Sequence, residues 1–158
     1  MVYFSLYFTK EISMECPMPT TNTNDLQQLT NIFSSCKRIA IAGLSPDPTK
    51  DSHRVAKYLQ EHGFKIYPIY PKEDVILGEK VYRSLLEIPE PVDMVDMFRK
   101  PEIANSLIDE VLQRGDIKVF WLQLGIVNNE ACEKAQKNGL IAVQNKCTKI
   151  EYERLCTR

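Results

Sequence analysis

Five short apolar runs recur along the chain: "RIAIAG", "FKIYPIY", "VDMVDMF", "IKVFWLQ" and "LIAVQ". Each is about the length of one strand and nearly continuous in apolar character, which is the pattern of strands buried on both faces. Segments with helical spacing separate most of them. "DSHRVAKYLQEHG" has a polar start, an apolar Val55–Leu59 pair four apart and Gly63 as a stop. "KPEIANSLIDEVLQRG" has Pro101 in its first turn, one apolar face through Ile103, Leu107, Ile108, Val111 and Leu112, and Gly115 at its end. "NNEACEKAQKNG" repeats the design with an asparagine cap and Gly139. A further helix is expected around Leu26, Leu29, Ile32 and Phe33, with Asp25 as its N-cap. Strands alternating with helices, joined by right-handed crossovers, give an α/β fold: a Rossmann-like, doubly wound, parallel five-stranded sheet in a single domain. Pro68 lacks a ladder donor, so the second strand belongs at an edge or carries a bulge.

The chain of 158 residues is long enough for one core, and residues 25–158 read as one unit. Residues 1–24 are expected to form a disordered or loosely docked extension, with Met14 or Met18 as alternative starts. Their apolar run is broken by Ser5 and Thr9 and has the wrong charge order for a secretion signal. A net charge of −1 gives no support for a nucleic-acid or membrane surface. Five scattered cysteines and two histidines, without C-x-x-C spacing, argue against a metal site and fit free thiols in a reducing cytoplasm.

In such folds ligands lie at the carboxyl ends of the strands. After the first strand, Gly43 lets the backbone turn close to a ligand, and the next helix offers free N–H groups that suit a phosphate. Ser45 and Ser52 can add hydroxyl donors. A dinucleotide fingerprint needs three glycines here, and "GLSPDPTKDS" has one. An NAD site also places an acid at the tip of the second strand. Here the tip reads Tyr70-Pro71-Lys72, which favours a phosphorylated ribose, as in NADP or coenzyme A. Phe98-Arg99 after the third strand pairs an apolar ring with a cation. Gly125, in "LQLGI", permits close backbone approach.

Four segments, "IAIAGLSPDPTKDSHRVAKYLQEHGFKIYPIYP", "LGEKVYRSLLEIPEPVDMVDMFRKPE", "VFWLQLGI" and the "KC-x-x-x-E" from Lys146 to Glu151, resemble the stand-alone CoA-binding proteins. That family is similar to the CoA-binding domain of the succinyl-CoA synthetase alpha subunit. The resemblance spans roughly residues 36–155 and implies binding of coenzyme A or an acyl-CoA. By position it implies contacts at Gly43, Leu44, Ser45, Pro46, Ser52, Pro71, Lys72, Phe98, Arg99, Gln123, Gly125 and Lys146. Two positions depart from the family pattern: Tyr70 stands where Asn is usual, and Asn145-Lys146 where Asp-Arg is usual.

No paired base and nucleophile and no metal cluster can be nominated, so the chain is expected to bind without catalysing a reaction. His53 is expected to face solvent. Cys147 lies near the rim, within reach of a mixed disulfide with the CoA thiol. Two rivals remain: an NADP-dependent oxidoreductase, and a CoA-binding partner for a separate acyl-CoA ligase subunit. A homo-oligomer is equally compatible.

Overall fold

The structure, a computed structural model, describes residues 23–156. The expected loose extension, apart from its last two residues, lies outside them. Helix α1 (Thr23–Ser35) leads into β1 (Arg38–Ala42), α2 (Asp51–Glu61) and β2 (Lys65–Ile69). A small hairpin, β3 (Val75–Ile76) and β4 (Glu79–Lys80), and a 3-10 turn (Leu85–Glu87) precede β5 (Met94–Met97). The chain continues through α3 (Ile103–Arg114), β6 (Val119–Leu122), α4 (Asn129–Lys137), β7 (Ile141–Val143) and α5 (Thr148–Cys156). All ladders of the main sheet are parallel, and its order is β2-β1-β5-β6-β7. The chain winds outward from β1 to one edge and then from β5 to the other, so the switch point falls between β1 and β5.

Side-chain alternation assigns the two faces. Ile39 and Ile41 of β1, Ile66 of β2, Met94 of β5 and Trp121 of β6 pack against Phe33, Val55, Leu59 and Tyr152, under α1, α2 and α5. Ala40, Tyr67, Val95, Phe120 and Leu122 face the other way, under Leu107, Ile108, Val111 and Ala135 of α3 and α4. Both faces of the central strands are therefore dry, which is why they read as unbroken apolar runs. Trp121 is fully buried, and its indole N–H donates to the carbonyl of Lys146 at 2.8 Å. The core thus fixes the segment that opens α5.

Pro68 sits on β2, an edge strand. Its carbonyl accepts from Tyr82 N–H at 2.9 Å, on the side away from β1, so its nitrogen also faces outward and no β1–β2 bond is lost. Helix ends follow the local chemistry closely but not always to the residue. Asn128 caps α4 through Ala131 N–H. Gly115 closes α3 at φ 81°. Pro101 lies in the turn before α3 rather than in its first turn, and its carbonyl accepts from Ala104 N–H. Helix α1 starts at Thr23, so Asp25 lies inside the first turn rather than at the cap. Among the described residues, no helix is long and apolar enough to cross a membrane.

Candidate functional site

Gly43 ends β1 at φ 87°, and its N–H donates to Ile69 O at 2.9 Å. A Cβ built there would lie 2.6 Å from Cδ of Arg99 and 2.9 Å from the Phe98 carbonyl. The glycine is needed because two strand ends of this chain, those of β1 and β5, meet at the switch point. That brings Gly43, Phe98 and Arg99 together, as their sequence positions suggested.

The loop from Gly43 to α2 is tied to itself. Ser52 is buried, and its hydroxyl accepts from Ser45 N–H at 3.0 Å. Asp47 N–H donates to the Ser45 hydroxyl, and Asp47 in turn receives Thr49 N–H and O–H. The hydroxyls expected to reach a ligand first of all shape the loop. His53, expected to face solvent, is instead half-buried, with Nδ1 2.9 Å from the Ser45 carbonyl. Leu44 is fully buried in the α2 face of the core, so only its backbone can touch a ligand. Pro46 is half-buried at the loop bend. Helix α2 has no side-chain N-cap; its start is braced by Arg54, which reaches the Thr49 carbonyl and the Asp51 carboxylate. The first N–H groups of α2 thus stay available for an anion.

Arg83 was not foreseen. Its Nη1 donates to the carbonyls of Tyr70, Lys72 and Glu73 at 2.8–3.1 Å, folding the loop after β2 into a fixed turn. Pro71 and Lys72 stand exposed on that turn, and the Lys72 ammonium has no partner among the described residues. Arg99 is likewise exposed and lines a small cavity with Arg83, Ser84 and Glu110. None of these three cations lines the second, wider cleft, which lies between α2 and α5.

That cleft has a volume of about 390 Å³. Arg54 and Val55 of α2 form one wall, Phe98 and Gln123 the floor, and Cys147, Lys149 and Ile150 the start of α5. Leu124 and Ile126 close the outer side. Gly125 stands at φ 86° with open space where a Cβ would point, and its N–H is already bound to Asn145 Oδ1 at 2.7 Å. Its glycine is therefore required by conformation, and its N–H serves the loop rather than a ligand. Lys146 is exposed, and its carbonyl accepts from the Trp121 indole.

Beneath the cleft lies a buried polar cluster. Asp96, fully buried in β5, receives Gln123 Nε2 at 2.7 and 2.8 Å on its two oxygens and the Thr148 hydroxyl at 2.9 Å. Gln123 Nε2 also donates to Thr148 Oγ1 at 2.8 Å. Burial pushes the Asp96 carboxyl up to about 7, against the pull of those two hydrogen bonds. Gln123 is only 3% exposed; its backbone carbonyl accepts from Ile126 N–H at 2.9 Å, but its side-chain oxygen Oε1 has no partner among the described residues. Cys147 precedes α5, where burial holds its thiol in the protonated range although the N–H groups of Ile150 and Lys149 bond to it. Asp96 stood in "VDMVDMF" as an acid inside a doubly buried run, and that misfit was the available signal.

A parallel five-stranded sheet flanked by helices, with a glycine at its switch point, is the architecture of a Rossmann-like α/β protein. Residues 37–153 match the family described as a CoA binding domain, and the chain belongs to that family. Its relatives include the uncharacterized protein YneT of Bacillus subtilis, 38% identical over 79% of this chain and 92% of that one. The alpha subunit of ADP-forming acetate–CoA ligase I of Pyrococcus furiosus is also 38% identical, over 66% of this chain. The chain spans only 26% of that subunit. Among solved structures, a hypothetical protein from Pyrococcus horikoshii superimposes with a TM-score of 0.83 at 39% identity, covering 90% of this chain and 99% of that one.

Proposed function

We propose that this protein binds coenzyme A or an acyl-CoA across the carboxyl edge of its sheet, as a binding module without catalysis of its own. The observation that carries the reading is the cleft between α2 and α5, floored by Phe98 and Gln123 at the carboxyl ends of β5 and β6. It offers a mixed apolar and polar trough for a thin flexible arm, with an orphaned, buried acceptor on its floor. Beyond it, Arg99 and Lys72 stand exposed, without an ion-pair partner among the described residues, as cations for phosphates. These residues fit coenzyme A: the α2 start and the rim cations would hold its phosphates, and Phe98 with the cleft would hold the pantetheine arm. Once bound, the group supplies a thiol or thioester, while the chain's own residues bind and orient it. Membership in the CoA-binding family supports the same reading.

A second reading follows from the ligase relatives. The similarity to ligase alpha subunits, of which this chain matches about a quarter, favours a role as the CoA-binding partner of a ligase polypeptide. A cytoplasmic setting belongs to the same proposal, supported by the scattered cysteines.

Calorimetry with coenzyme A and dephospho-CoA tests the reading. Lys72 gives the 3′-phosphate a charged partner, so CoA is expected to bind about ten-fold or more tighter, the worth of a charge-assisted hydrogen bond. Equal affinity would remove Lys72 from the site, and tighter binding of NADPH than of CoA would favour an oxidoreductase.

A further inference from the structure

The buried cluster under the cleft is a closed ring. One Gln123 N–H goes to Asp96, the other to Thr148, and the Thr148 hydroxyl returns to Asp96. Every member is at least nine-tenths buried. An ionised carboxylate accepts only, so it can face the NH₂ end of the amide and not the carbonyl end. The other end of the same amide must then look toward the cleft that Gln123 lines.

We propose that Asp96 is a positioning residue: with Thr148 it locks the Gln123 amide so that Oε1 faces the cleft as an acceptor for an N–H donor on the ligand. The ligand class is a chain bearing secondary amides, and the identification of that chain as the arm of CoA rests on the function proposed above. The device requires the ionised form. A protonated Asp96 donates as well as accepts, so the amide can then turn and present NH₂ to the cleft. Affinity for an amide donor should therefore fall as Asp96 gains its proton.

Other groups face this cluster. On the sheet, Asp96 is flanked in register by Ile41 and Trp121, neither of which titrates. Cys147, just before α5, and Lys149, in its first turn, face the cleft, as do Asp51 and Arg54 of α2, which pair with each other. Burial keeps Cys147 protonated through the neutral range.

The test uses the full chain, its Asp96→Asn variant and its Thr148→Val variant. The side-chain amide protons of Gln123 are followed by NMR from pH 5.5 to 8.5 without ligand, and CoA is titrated over the same range. The CoA phosphate ionises near pH 6 in every titration and cancels in the ratio of affinities. In the wild type the Gln123 amide signals should move with a midpoint near 7, and in Asp96→Asn they should not. The wild-type advantage in CoA affinity should grow from about one-fold at low pH to roughly 5–10-fold at pH 8.5, the worth of one oriented hydrogen bond. Thr148→Val, which keeps the carboxylate, should lose two- to three-fold at pH 8.5 by the same reasoning. A purely structural Asp96 would lower the melting temperature of the variant and leave the affinity ratio flat with pH, which overturns the proposal. Gln123 signals that ignore pH overturn it as well. If the folded wild type binds no CoA while the Gln123 amide still titrates, the CoA reading fails and the positioning role stands.

Discussion

Replacing Gly43 with alanine is expected to cost about 2–4 kcal/mol of stability and to weaken CoA binding at least ten-fold. Two terms add. Gly43 stands at φ 87°, where a residue with a Cβ is strained by about 1–2 kcal/mol. The new methyl would also meet the Phe98 carbonyl at 2.9 Å and Cδ of Arg99 at 2.6 Å. The arginine arm can swing away. The carbonyl cannot move freely, because the Phe98 N–H is held by Ala42 O at 2.8 Å across the switch point. Relief must come from separating the ends of β1 and β5, and those ends are where the ligand is proposed to lie. Valine adds β-branching to the same strain, so Gly43→Val is expected to unfold rather than to yield a folded non-binder. Urea denaturation of Gly43→Ala, followed by CoA titration of the folded fraction, reads both effects. Wild-type stability together with wild-type affinity would show that the switch point is neither tight nor part of the site.

The second large effect is a fall in stability as pH rises. Asp96 titrates near 3.9 when unfolded, as an ordinary aspartate, and near 7 when folded. Between those values the folded chain holds a proton that the unfolded chain has lost. Stability from this group is therefore full below about pH 4, declines as pH rises toward 7, and levels off above it. The shift corresponds to about 4 kcal/mol. Asp116 works in the opposite sense: burial raises it, but the Arg114 and Val92 hydrogen bonds win and hold it low, so its contribution is lost only in stronger acid. Unfolding midpoints should thus drop between pH 5 and 7.5 in the wild type and stay nearly level in Asp96→Asn. A wild-type curve that rises over this interval would mean that Asp96 is not buried as an acid.

The strands were legible because each is buried on both sides, which leaves an apolar run with little else in it. "RIAIAG" and "IKVFWLQ" show this plainly: every residue from Ile39 to Ala42 and from Val119 to Leu122 is buried. The order of those strands was not legible, since parallel strands with long crossovers permit several orders. The β3–β4 hairpin escaped notice because each strand has two residues and its turn uses Leu77 at φ 54° beside Gly78. Helix α5 escaped for a different reason. Its register is set by Thr148 and Glu151, polar residues that are buried, so no apolar stripe announces it. The site divided the same way. Gly43, Phe98, Arg99 and Gln123 could be placed on strand ends by counting along the chain. Arg83, which shapes the turn bearing Lys72 from the far side of the hairpin, depends on contacts between residues ten or more apart. So does Asp96, whose partners are Gln123, just past β6, and Thr148, at the start of α5.

The most direct test of the central claim is backbone amide chemical-shift mapping during titration with coenzyme A. A ligand lying across the switch point should shift residues 43–53, 71–72, 98–99 and 123–126 together with the first turn of α5, and leave β7 and the solvent face of α4 unmoved. No shifts with CoA in excess, or shifts confined to the opposite edge of the sheet, would contradict the assignment of this rim as a coenzyme A site.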